Sequence, residues 1–294
     1  NIYDKDGNAI LPKPLPVRDQ AMHLMAKAIS EGRGGAHGGL FWYVGDSSKG
    51  AKAVQDKLNI AQYSYIKAHG VDPTTAKIEV APGAHYLLGG IQITEECHTT
   101  VKGLFATPEC AGNFDGANRL AGSGITATQV FGAKAGFYAH QWAVASQYVE
   151  ADVTSLEEEV WRVAKRIAKG KHTASNCNML KDKLRAAIQM YAGVQREEAG
   201  LNQLNQIACE VQEELAKEQV TEVTVYNQQL VDLLQLETMC EVARLVAGSA
   251  LLRKESRGHH FRTDFPSQDN LNWIKHTLAV RAENGPRFGT KPVL

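Results

Sequence analysis

The sequence predicts an α+β fold on three observations. Short apolar runs of strand length stand near the start, a glycine-dense stretch occupies residues 81–132, and a glycine-poor series of amphipathic helices follows residue 150. The glycine-dense stretch also concentrates the loops and the out-of-place polar residues of the chain. Because binding residues are commonly carried by loops between rigid elements, we expect the chemistry to lie there and the rest of the chain to hold it.

Composition limits the classes of protein to consider. The 294 residues, 44% of them hydrophobic, are enough for one large domain or two ordinary ones. Lysine plus arginine balances aspartate plus glutamate at 32 each, which disfavours nucleic acid and anionic membranes as partners. No apolar run approaches the roughly 20 residues that span a bilayer. Five cysteines, with no CxxC pair and no histidine at metal-ligand spacing, favour a reducing compartment and predict neither a metal site nor an iron–sulfur cluster in this chain.

The first third alternates turns, helices and short strands. NIYDKDGNAI predicts two strand-like pieces around an Asp-Gly turn, and the prolines of LPKPLPV predict a stiff segment before a helix that begins at Arg18 and ends near Gly32. LFWYV predicts a strand and residues 53–68 a second helix. Residues 78–80 and the segment HYLLGGIQI predict further strands that lead into the glycine-dense stretch.

The segment GSGITA at residues 122–127 satisfies the GxGxx[GA] dinucleotide pattern. However, GANRLA before it is not the strand that this fingerprint requires, and the helical-looking YAHQWAVA stands where an acidic residue should follow. We therefore do not predict an ordinary Rossmann site. Small residues at a helix start nevertheless let backbone N–H groups approach a ligand, and the helix dipole favours negative charge there.

Four helical patterns after residue 153 predict an antiparallel bundle with short loops. The first helix should begin at the capping box from Thr154 to Glu157, and all four apolar stripes should form the core. The expected core residues are Leu156, Val160, Val163, Ala164 and Ile167, then Leu180, Leu184, Ile188 and Tyr191, then Leu201, Leu204, Ala208, Val211 and Leu215, and last Leu230, Leu233, Leu234, Val242, Leu245 and Val246.

The tail crowds basic residues against Glu255 and Asp264. These basic residues are Arg253, Lys254, Arg257, His259, His260 and Arg262. The alternating signs predict a docking segment with mutually paired charges rather than a nucleic-acid surface.

Several motifs follow one another along the chain: RDQAM…EGRG, GVDPTTAKIEVAPGAHYLLGGI, VKGLFATPECAG, GANRL with VFG, and ESRGHHFRTDFP…NWIKHTL. In this order they resemble the flavoprotein subunit of succinate dehydrogenase and fumarate reductase, with L-aspartate oxidase as a close relative. The resemblance spans nearly the whole chain and covers the C-terminal portion of the family pattern, without its N-terminal GxGxxG half. It implies the remainder of a capping domain at 1–74, the returning C-terminal segment of an FAD-binding α/β domain at 75–149, a helical bundle at 150–247 and a docking tail at 248–294.

The resemblance also implies substrate-site residues. Arg18 looks like the family's proton-transfer arginine, and His85 and Arg119 look like the clamp for the substrate carboxylates. Reduction of a C=C bond flanked by carboxylates passes through an enolate-like state whose negative charge needs stabilisation. Arg119 would grip a carboxylate with its planar fork, His85 would add a directional hydrogen bond, and Asp19 or another carboxylate could return the proton that Arg18 delivers.

The cofactor that the resemblance implies is FAD. Glu109 matches the acidic residue that holds the ribityl or ribose region, and Ser123, Gly124 and Ile125 match the helix start whose backbone lies against the flavin ring. No metal ligands are expected.

This sequence departs from the family pattern at four places. Pro108 replaces a glycine in TPEC, Asp115 replaces a histidine in DGANRL, residues 123–125 replace Asn-Ser-Leu, and HYLLGG replaces HYTMGG. An acidic Asp115 near an anionic substrate is unfavourable unless it is paired, so the resemblance leaves the identity of the carboxylate open.

The resulting expectation is an FAD-dependent oxidoreductase subunit. It would interconvert a fumarate-like and a succinate-like carboxylate by hydride transfer at flavin N5 and exchange electrons with an iron–sulfur partner. The N-terminal FAD-binding half would come from the same polypeptide or from a separate chain. An L-aspartate-oxidase-like flavoenzyme and a non-catalytic family member retained for complex assembly stay open as alternatives. The expected location is cytoplasmic, with membrane contact only through partner subunits.

Overall fold

The computed structural model describes residues 1–43, 58, 60–147, 150, 152–168, 176–223, 225–283 and 285–293. The fold contains both helices and sheets, which agrees with the predicted α+β class. The chain divides into two compact units, Asn1–Leu87 and Leu88–Leu294.

The first unit is built on a three-stranded antiparallel sheet. Its strands are β1 (Ile2–Tyr3), β2 (Leu40–Trp42) and β3 (Ile78–Val80), in the order β1-β2-β3. Among the described residues of this unit, the helices are α1 (Arg18–Ser30) and α2 (Ile60–Ala68). Met25 and Ala28 of α1 pack with Leu40 of β2 in a small core. The strands predicted at LFWYV and at residues 78–80, the first strand-like piece of NIYDKDGNAI and the first helix are confirmed, whereas the second piece makes only an isolated bridge, between Tyr3 and Ala9. The predicted beginning of the second helix at residue 53 lies outside the described residues.

The second unit consists mainly of helices with two small sheets. The helices are α3 (Ser123–Ala145), α4 (Val153–Ala164), α5 (Cys177–Tyr191), α6 (Glu198–Leu215) and α7 (Gln228–Leu252). The strands are β4 (Ile167–Ala168) and β5 (Val220–Thr221), which pair in parallel, and β6 (Lys275–Val280) and β7 (Arg287–Pro292), which form an antiparallel hairpin. The sequence did not predict this hairpin within the tail.

Helices α5, α6 and α7 share the main core of the second unit. Their inward residues are fully or almost fully buried, including Leu184, Leu201, Leu204, Val211, Leu215, Leu233, Leu236 and Cys240. Burial of apolar side chains at helical spacing is what the three patterns predict. The prediction of packed second, third and fourth helices is therefore confirmed, except at Val242, which is 40% exposed.

Helix α4 departs from the predicted bundle. Its apolar stripe is exposed, with Leu156 at 57%, Val160 at 67% and Trp161 at 67% exposure, and none of its residues is buried. The helix instead contacts α7 through its polar side, because Arg162 pairs with Glu237 at 2.8 Å. The prediction that this stripe belongs to the core is therefore wrong for Leu156 and Val160, whereas Ile167, at the end of the stripe, is partly buried against the main core.

The start of α4 also differs from the predicted capping box. Asp152, not Thr154, caps the helix, since its side chain accepts hydrogen bonds from the Thr154 amide at 3.1 Å and the Ser155 hydroxyl at 2.6 Å. These hydrogen bonds hold the pKa of Asp152 below its usual value. An aspartate two residues before Thr154 was an equally good cap in the sequence.

The segment HYLLGGIQI is not a strand. Gly89 and Gly90 have φ values of +82° and +148°, which break an extended run. Only an isolated parallel bridge remains in this segment, between Ile91 and Ala111. The strand prediction for the segment is therefore wrong, and the glycine pair is the reason.

Candidate functional site

The predicted site residues divide between the two units. Arg18 is the first residue of α1, and His85 lies on the irregular segment after β3, both in the first unit and both exposed. Glu109 and Arg119 belong to the second unit, together with residues 123–125 at the start of α3. This second group lies within one compact unit, so its members form a single arrangement.

The start of α1 places Arg18 beside a buried carboxylate oxygen. Val17, extended after the prolines, provides the N-cap position without a side-chain cap. Asp19 follows in the first turn, where a negative charge suits the helix dipole. Its Oδ1 atom is buried and has no hydrogen-bond partner among the described residues. An exposed cation and a buried acceptor without a hydrogen-bond partner are therefore neighbours in sequence at the start of α1.

Backbone contacts fix the turn that carries Glu109. The Ile91 N–H donates to the Cys110 carbonyl at 2.8 Å, and the Gly112 N–H donates to the Ile91 carbonyl at 2.8 Å. A Cβ at Gly90 would lie 2.3 Å from the Cys110 carbonyl oxygen, so only glycine fits this crossing. Glu109 is exposed on the turn that this crossing supports.

Thr107, in the same TPEC segment as Glu109, has a buried Oγ1 atom without a hydrogen-bond partner in the part of the chain that the structure describes. Unsatisfied buried hydroxyls are uncommon in folded proteins and call for a partner. The exposed Glu109 carboxylate is the acceptor in this segment that the hydroxyl groups of a cofactor such as FAD fit, whereas the Thr107 hydroxyl is buried.

Arg119 lies half-buried on a loop that is held at both ends. At the beginning, Asn113 Nδ2 donates to the Ile93 carbonyl at 3.1 Å, and the ring of Phe114 lies 4.7 Å from that of Phe131 between centroids. At the end, the Ser123 N–H donates to the Leu120 carbonyl at 3.2 Å. The loop that carries Arg119 therefore leads directly into α3.

The start of α3 is open. Gly122 occupies the N-cap position with φ +85°, no side chain caps the helix, and its first turn contains no acidic residue. A Cβ at Gly122 would meet nothing within 4 Å, and Ile125 is 79% exposed. First-turn amides without a side-chain cap favour an anionic group, which fits the backbone role expected of residues 123–125.

The charged tail is a paired network. Burial would raise the pKa of Glu255, but hydrogen bonds from Arg257 and from the Asp269 amide hold it below the usual value. Arg257 binds Glu255 with both Nε and Nη2, at 2.8 and 3.0 Å. Arg253 also pairs with Glu255, and its guanidinium lies 5.1 Å from the ring centroid of Trp273. The predicted mutual pairing of the tail charges is confirmed here.

Arg262 extends this network to the helical core. It is fully buried and binds both carboxylate oxygens of Asp264 at 2.6 Å. These hydrogen bonds lower the pKa of Asp264 to about 2. Arg262 Nη1 also donates to the Ala250 carbonyl at 2.7 Å, near the end of α7, while Asp264 accepts from the Glu198 amide at the start of α6. The tail is thus fixed to two helices.

His260 is neutral within the network. Burial, together with the nearby Arg196 guanidinium, lowers its pKa to about 4. Its Nε2 lies 3.2 Å from the Arg253 carbonyl oxygen and its Nδ1 lies 3.4 Å from Arg196 Nη1. Because the carbonyl needs a donor and the guanidinium needs an acceptor, these two partners match a neutral imidazole protonated on Nε2.

Sequence reasoning missed the contact between this tail and the loop of Arg119. The His259 N–H donates to the Ala117 carbonyl at 3.0 Å. The available signal was Gly258, a glycine between Arg257 and two histidines in an otherwise charged segment. Such a glycine indicates a tight turn or a close backbone approach.

The described ranges offer neither a metal centre nor a membrane span. They contain no group of three or more histidine, cysteine, aspartate or glutamate side chains placed to hold a metal ion. Within the same ranges, none of the helices combines the length and the apolarity needed to cross a membrane.

Two families match the sequence. The family described as "FAD binding domain" matches residues 2–125, and the family described as "Fumarate reductase flavoprotein C-term" matches residues 181–294. The first match confirms the prediction of FAD as the cofactor.

Curated relatives carry consistent names. The chain is 34% identical over 287 residues to a subunit of the fumarate reductase (CoM/CoB) of Methanothermobacter marburgensis, covering 97% of this chain and 50% of that protein. It is 35% identical over 229 residues to the fumarate reductase flavoprotein subunit of Haemophilus influenzae, covering 76% of this chain and 38% of that protein. The chain thus spans about half the length, or less, of the curated relatives it matches.

A solved structure has the same fold. The quinol fumarate reductase FrdA of E. coli, in a variant form, is similar with a TM-score of 0.86 and 28% sequence identity. The similarity covers 99% of this chain and 54% of that one.

Proposed function

Because the chain belongs to the flavoprotein family of fumarate reductases and succinate dehydrogenases, we propose that it contributes the C-terminal portion of an FAD-dependent oxidoreductase acting on a small dicarboxylate. One observation carries the proposal: the loop of Arg119 leads directly into the uncapped start of α3, where the match to the FAD-binding family ends. A cation for a substrate carboxylate and a helix start for an anionic cofactor are therefore adjacent in one rigid segment.

Four positions of this chain would hold the cofactor. Glu109 would accept hydrogen bonds from ribityl or ribose hydroxyls, and the backbone of residues 123–125 would lie against the flavin ring. The absence of a side-chain cap and the exposure of Ile125 support this role. When bound, FAD supplies hydride chemistry at its N5 atom.

Three side chains would act on the substrate. Arg119 would bind a carboxylate with two parallel N–H donors and hold it as negative charge develops on the reacting carbons. His85 would donate a hydrogen bond to the second carboxylate. Arg18 would deliver the proton, and the unsatisfied Oδ1 of Asp19 supports a carboxylate nearby that returns it. Position contributes more to this step than the ordinary acidity of arginine.

The test uses the complete flavin-containing protein in which this chain occurs. We expect a flavin absorbance spectrum and oxidation of reduced viologen on addition of fumarate. Absence of bound flavin would contradict the cofactor proposal, and bound flavin without fumarate turnover would contradict the proposed reaction.

Arg18→Gln tests the assigned proton transfer. We expect this variant to lose fumarate turnover almost completely and to keep its flavin, because the neutral amide cannot deliver the proton. The matched control is Arg185→Gln, which removes an arginine that is 60% exposed and 3.8 Å from Asp182. Turnover retained in Arg18→Gln would overturn the assignment.

Two electron donors are considered for the proposed reaction. We infer an iron–sulfur subunit that docks on the flavoprotein, as expected from the sequence. The Methanothermobacter relative, whose similarity covers 97% of this chain, carries CoM/CoB in its name, which makes CoM together with CoB the second donor to assay. Fumarate reduction that requires a co-purified iron–sulfur subunit favours the first donor, and reduction by CoM and CoB favours the second.

Two other functions remain as outcomes of the same assays. Peroxide production from L-aspartate without an iron–sulfur partner would indicate the oxidase alternative. A protein that captures a partner subunit yet binds no flavin would be a non-catalytic member of the family.

A further inference from the structure

A tight turn in the tail has a fixed backbone. The Arg257 N–H donates to the His260 carbonyl at 2.8 Å, and the His260 N–H donates to the Arg257 carbonyl at 3.0 Å. Gly258, with φ +57°, is the first central residue of this turn, where a type II′ turn requires glycine. We call residues 257–260 the tail turn.

The tip of the tail turn lies against the loop of Arg119. The His259 N–H donates to the Ala117 carbonyl at 3.0 Å. A Cβ placed on Gly258 would lie 2.2 Å from that same carbonyl oxygen and 3.0 Å from Asn118 Cβ. Since interiors are close-packed and both of these neighbours precede Arg119 directly, an added atom at Gly258 has to move that loop or the turn itself.

The turn is the less movable of the two. Arg257 is bound by buried Glu255 through two hydrogen bonds and by Asn270 through a third at 2.9 Å. His260 is held on both ring nitrogens, and Arg262 beyond it is fully buried against the end of α7. The tip of the loop at Ala117 is joined to the turn by the backbone hydrogen bond from His259, and the side chains of Asn113 and Phe114 anchor the loop before that tip.

We propose that the tail turn is a positioning element for Arg119, through which the helical core of the second unit sets the affinity for the substrate carboxylate. The inference rests on the proposed role of Arg119 in carboxylate binding. Gly258 and His259 contact the backbone at Ala117 and not the substrate, so they act through Arg119. A shifted loop would weaken the binding of the substrate carboxylate by Arg119. We expect this loss to raise KM more than it lowers kcat.

The experiment compares Gly258→Ala with Gly70→Ala in the complete flavin-containing protein. Both glycines have positive φ, +57° and +77°, a backbone region that L-residues rarely adopt, so alanine is strained at each position. Only Gly258 faces a neighbouring backbone, since nothing lies within 4 Å of a Cβ at Gly70. We expect Gly258→Ala to raise KM for fumarate about tenfold or more with a smaller change in kcat, and Gly70→Ala to leave both unchanged.

A second variant and a second measurement distinguish a shifted loop from a misfolded protein. Arg257→Lys loosens the turn without adding an atom at Gly258, and we expect it to raise KM about two- to threefold because lysine cannot reproduce the bidentate contact with Glu255. Hydrogen–deuterium exchange of residues 116–122 should increase in both variants, while flavin content stays at the wild-type level.

Three results overturn the inference. The first is wild-type KM with kcat lowered in proportion to flavin content, which means that the turn is only structural. The second is unchanged exchange of residues 116–122 in Gly258→Ala, whatever the activity. The third is a wild-type protein that binds flavin without reducing fumarate, which removes the proposed function itself and with it the link to substrate affinity.

Discussion

The helical core of α5, α6 and α7 and the loop region at residues 88–122 lie in the same unit but are stabilised differently. In the core, leucines and other apolar side chains are fully buried against one another. In the loop region, which the structure describes throughout, only three apolar residues are buried, Cys97, Ala106 and Ala111, and the chain is held by backbone contacts at Gly90, Gly112 and Gly258. Packing of apolar side chains thus stabilises the helical core, and close backbone contacts fix the loop region. Substitutions in the core should therefore change mainly stability, and substitutions in the loop region mainly activity.

Arg119→Gln should give the largest effect and leave the core untouched. Losing the charged, two-pronged contact to a substrate carboxylate should lower kcat/KM for fumarate about 1,000-fold, or about 4 kcal/mol of transition-state stabilisation. The thermal midpoint should change little because the side chain is half-buried on a loop. Steady-state kinetics and thermal unfolding of the same preparation test this. Equal loss of activity and stability would mean that the two regions are not separable.

Leu204→Ala should give the reverse result. Leu204 is fully buried in α6, and truncation of such a leucine costs about 3 kcal/mol of unfolding free energy. Turnover per bound flavin should stay at the wild-type level. The control is Leu156→Ala on α4, where the side chain is 57% exposed and the expected change is within about 0.5 kcal/mol.

A large destabilisation by Leu156→Ala, measured by denaturant unfolding of the complete protein, would show that α4 is covered there. In that case the apolar face of α4 would be exposed only with respect to the described residues of this chain, unlike the buried faces of the three core helices.

His260→Gln should give the smallest effect, seen as a change in pH dependence. The folded-state pKa of His260, about 4, lies below the ordinary 6.5, so the unfolded state binds more protons between these values. Stability from this group is therefore complete above pH 6.5 and is lost as the pH falls towards 4. The wild type should lose about 2 kcal/mol more than His260→Gln over this interval. Parallel stability curves for the two proteins would contradict the assignment of a buried neutral imidazole.

The three core helices were predictable because one property, apolar spacing, decides both their conformation and their burial. Leu184, Leu204 and Leu233 lie where the helical period places them. The same spacing in α4 predicts the helix correctly but not its surroundings, since Leu156 and Val160 are exposed. The periodicity of a sequence indicates that one face of a helix is apolar, but it does not indicate what packs against that face.

The loop region was less predictable because its contacts join residues distant in sequence. GANRL and ESRGHH were singled out separately, yet no local pattern indicated that Gly258 lies against Ala117. The strand predicted across Gly89 and Gly90 was wrong, because the apolar residues on both sides of the pair resemble strand residues although the pair breaks the extended backbone. The roles of Arg18, His85, Glu109, Arg119 and residues 123–125 came from the family resemblance, and the substitutions above test two of them, those of Arg18 and Arg119.

The stacking of Arg253 on Trp273 gives the tail an optical probe. The chain contains four tryptophans, and the indole of Trp273 lies 5.1 Å from a guanidinium in the network that supports the tail turn. Indole emission responds to a neighbouring charge and to water. A change in the distance between Arg253 and Trp273 should therefore shift the fluorescence of Trp273, so that its emission reports on the arrangement of the tail.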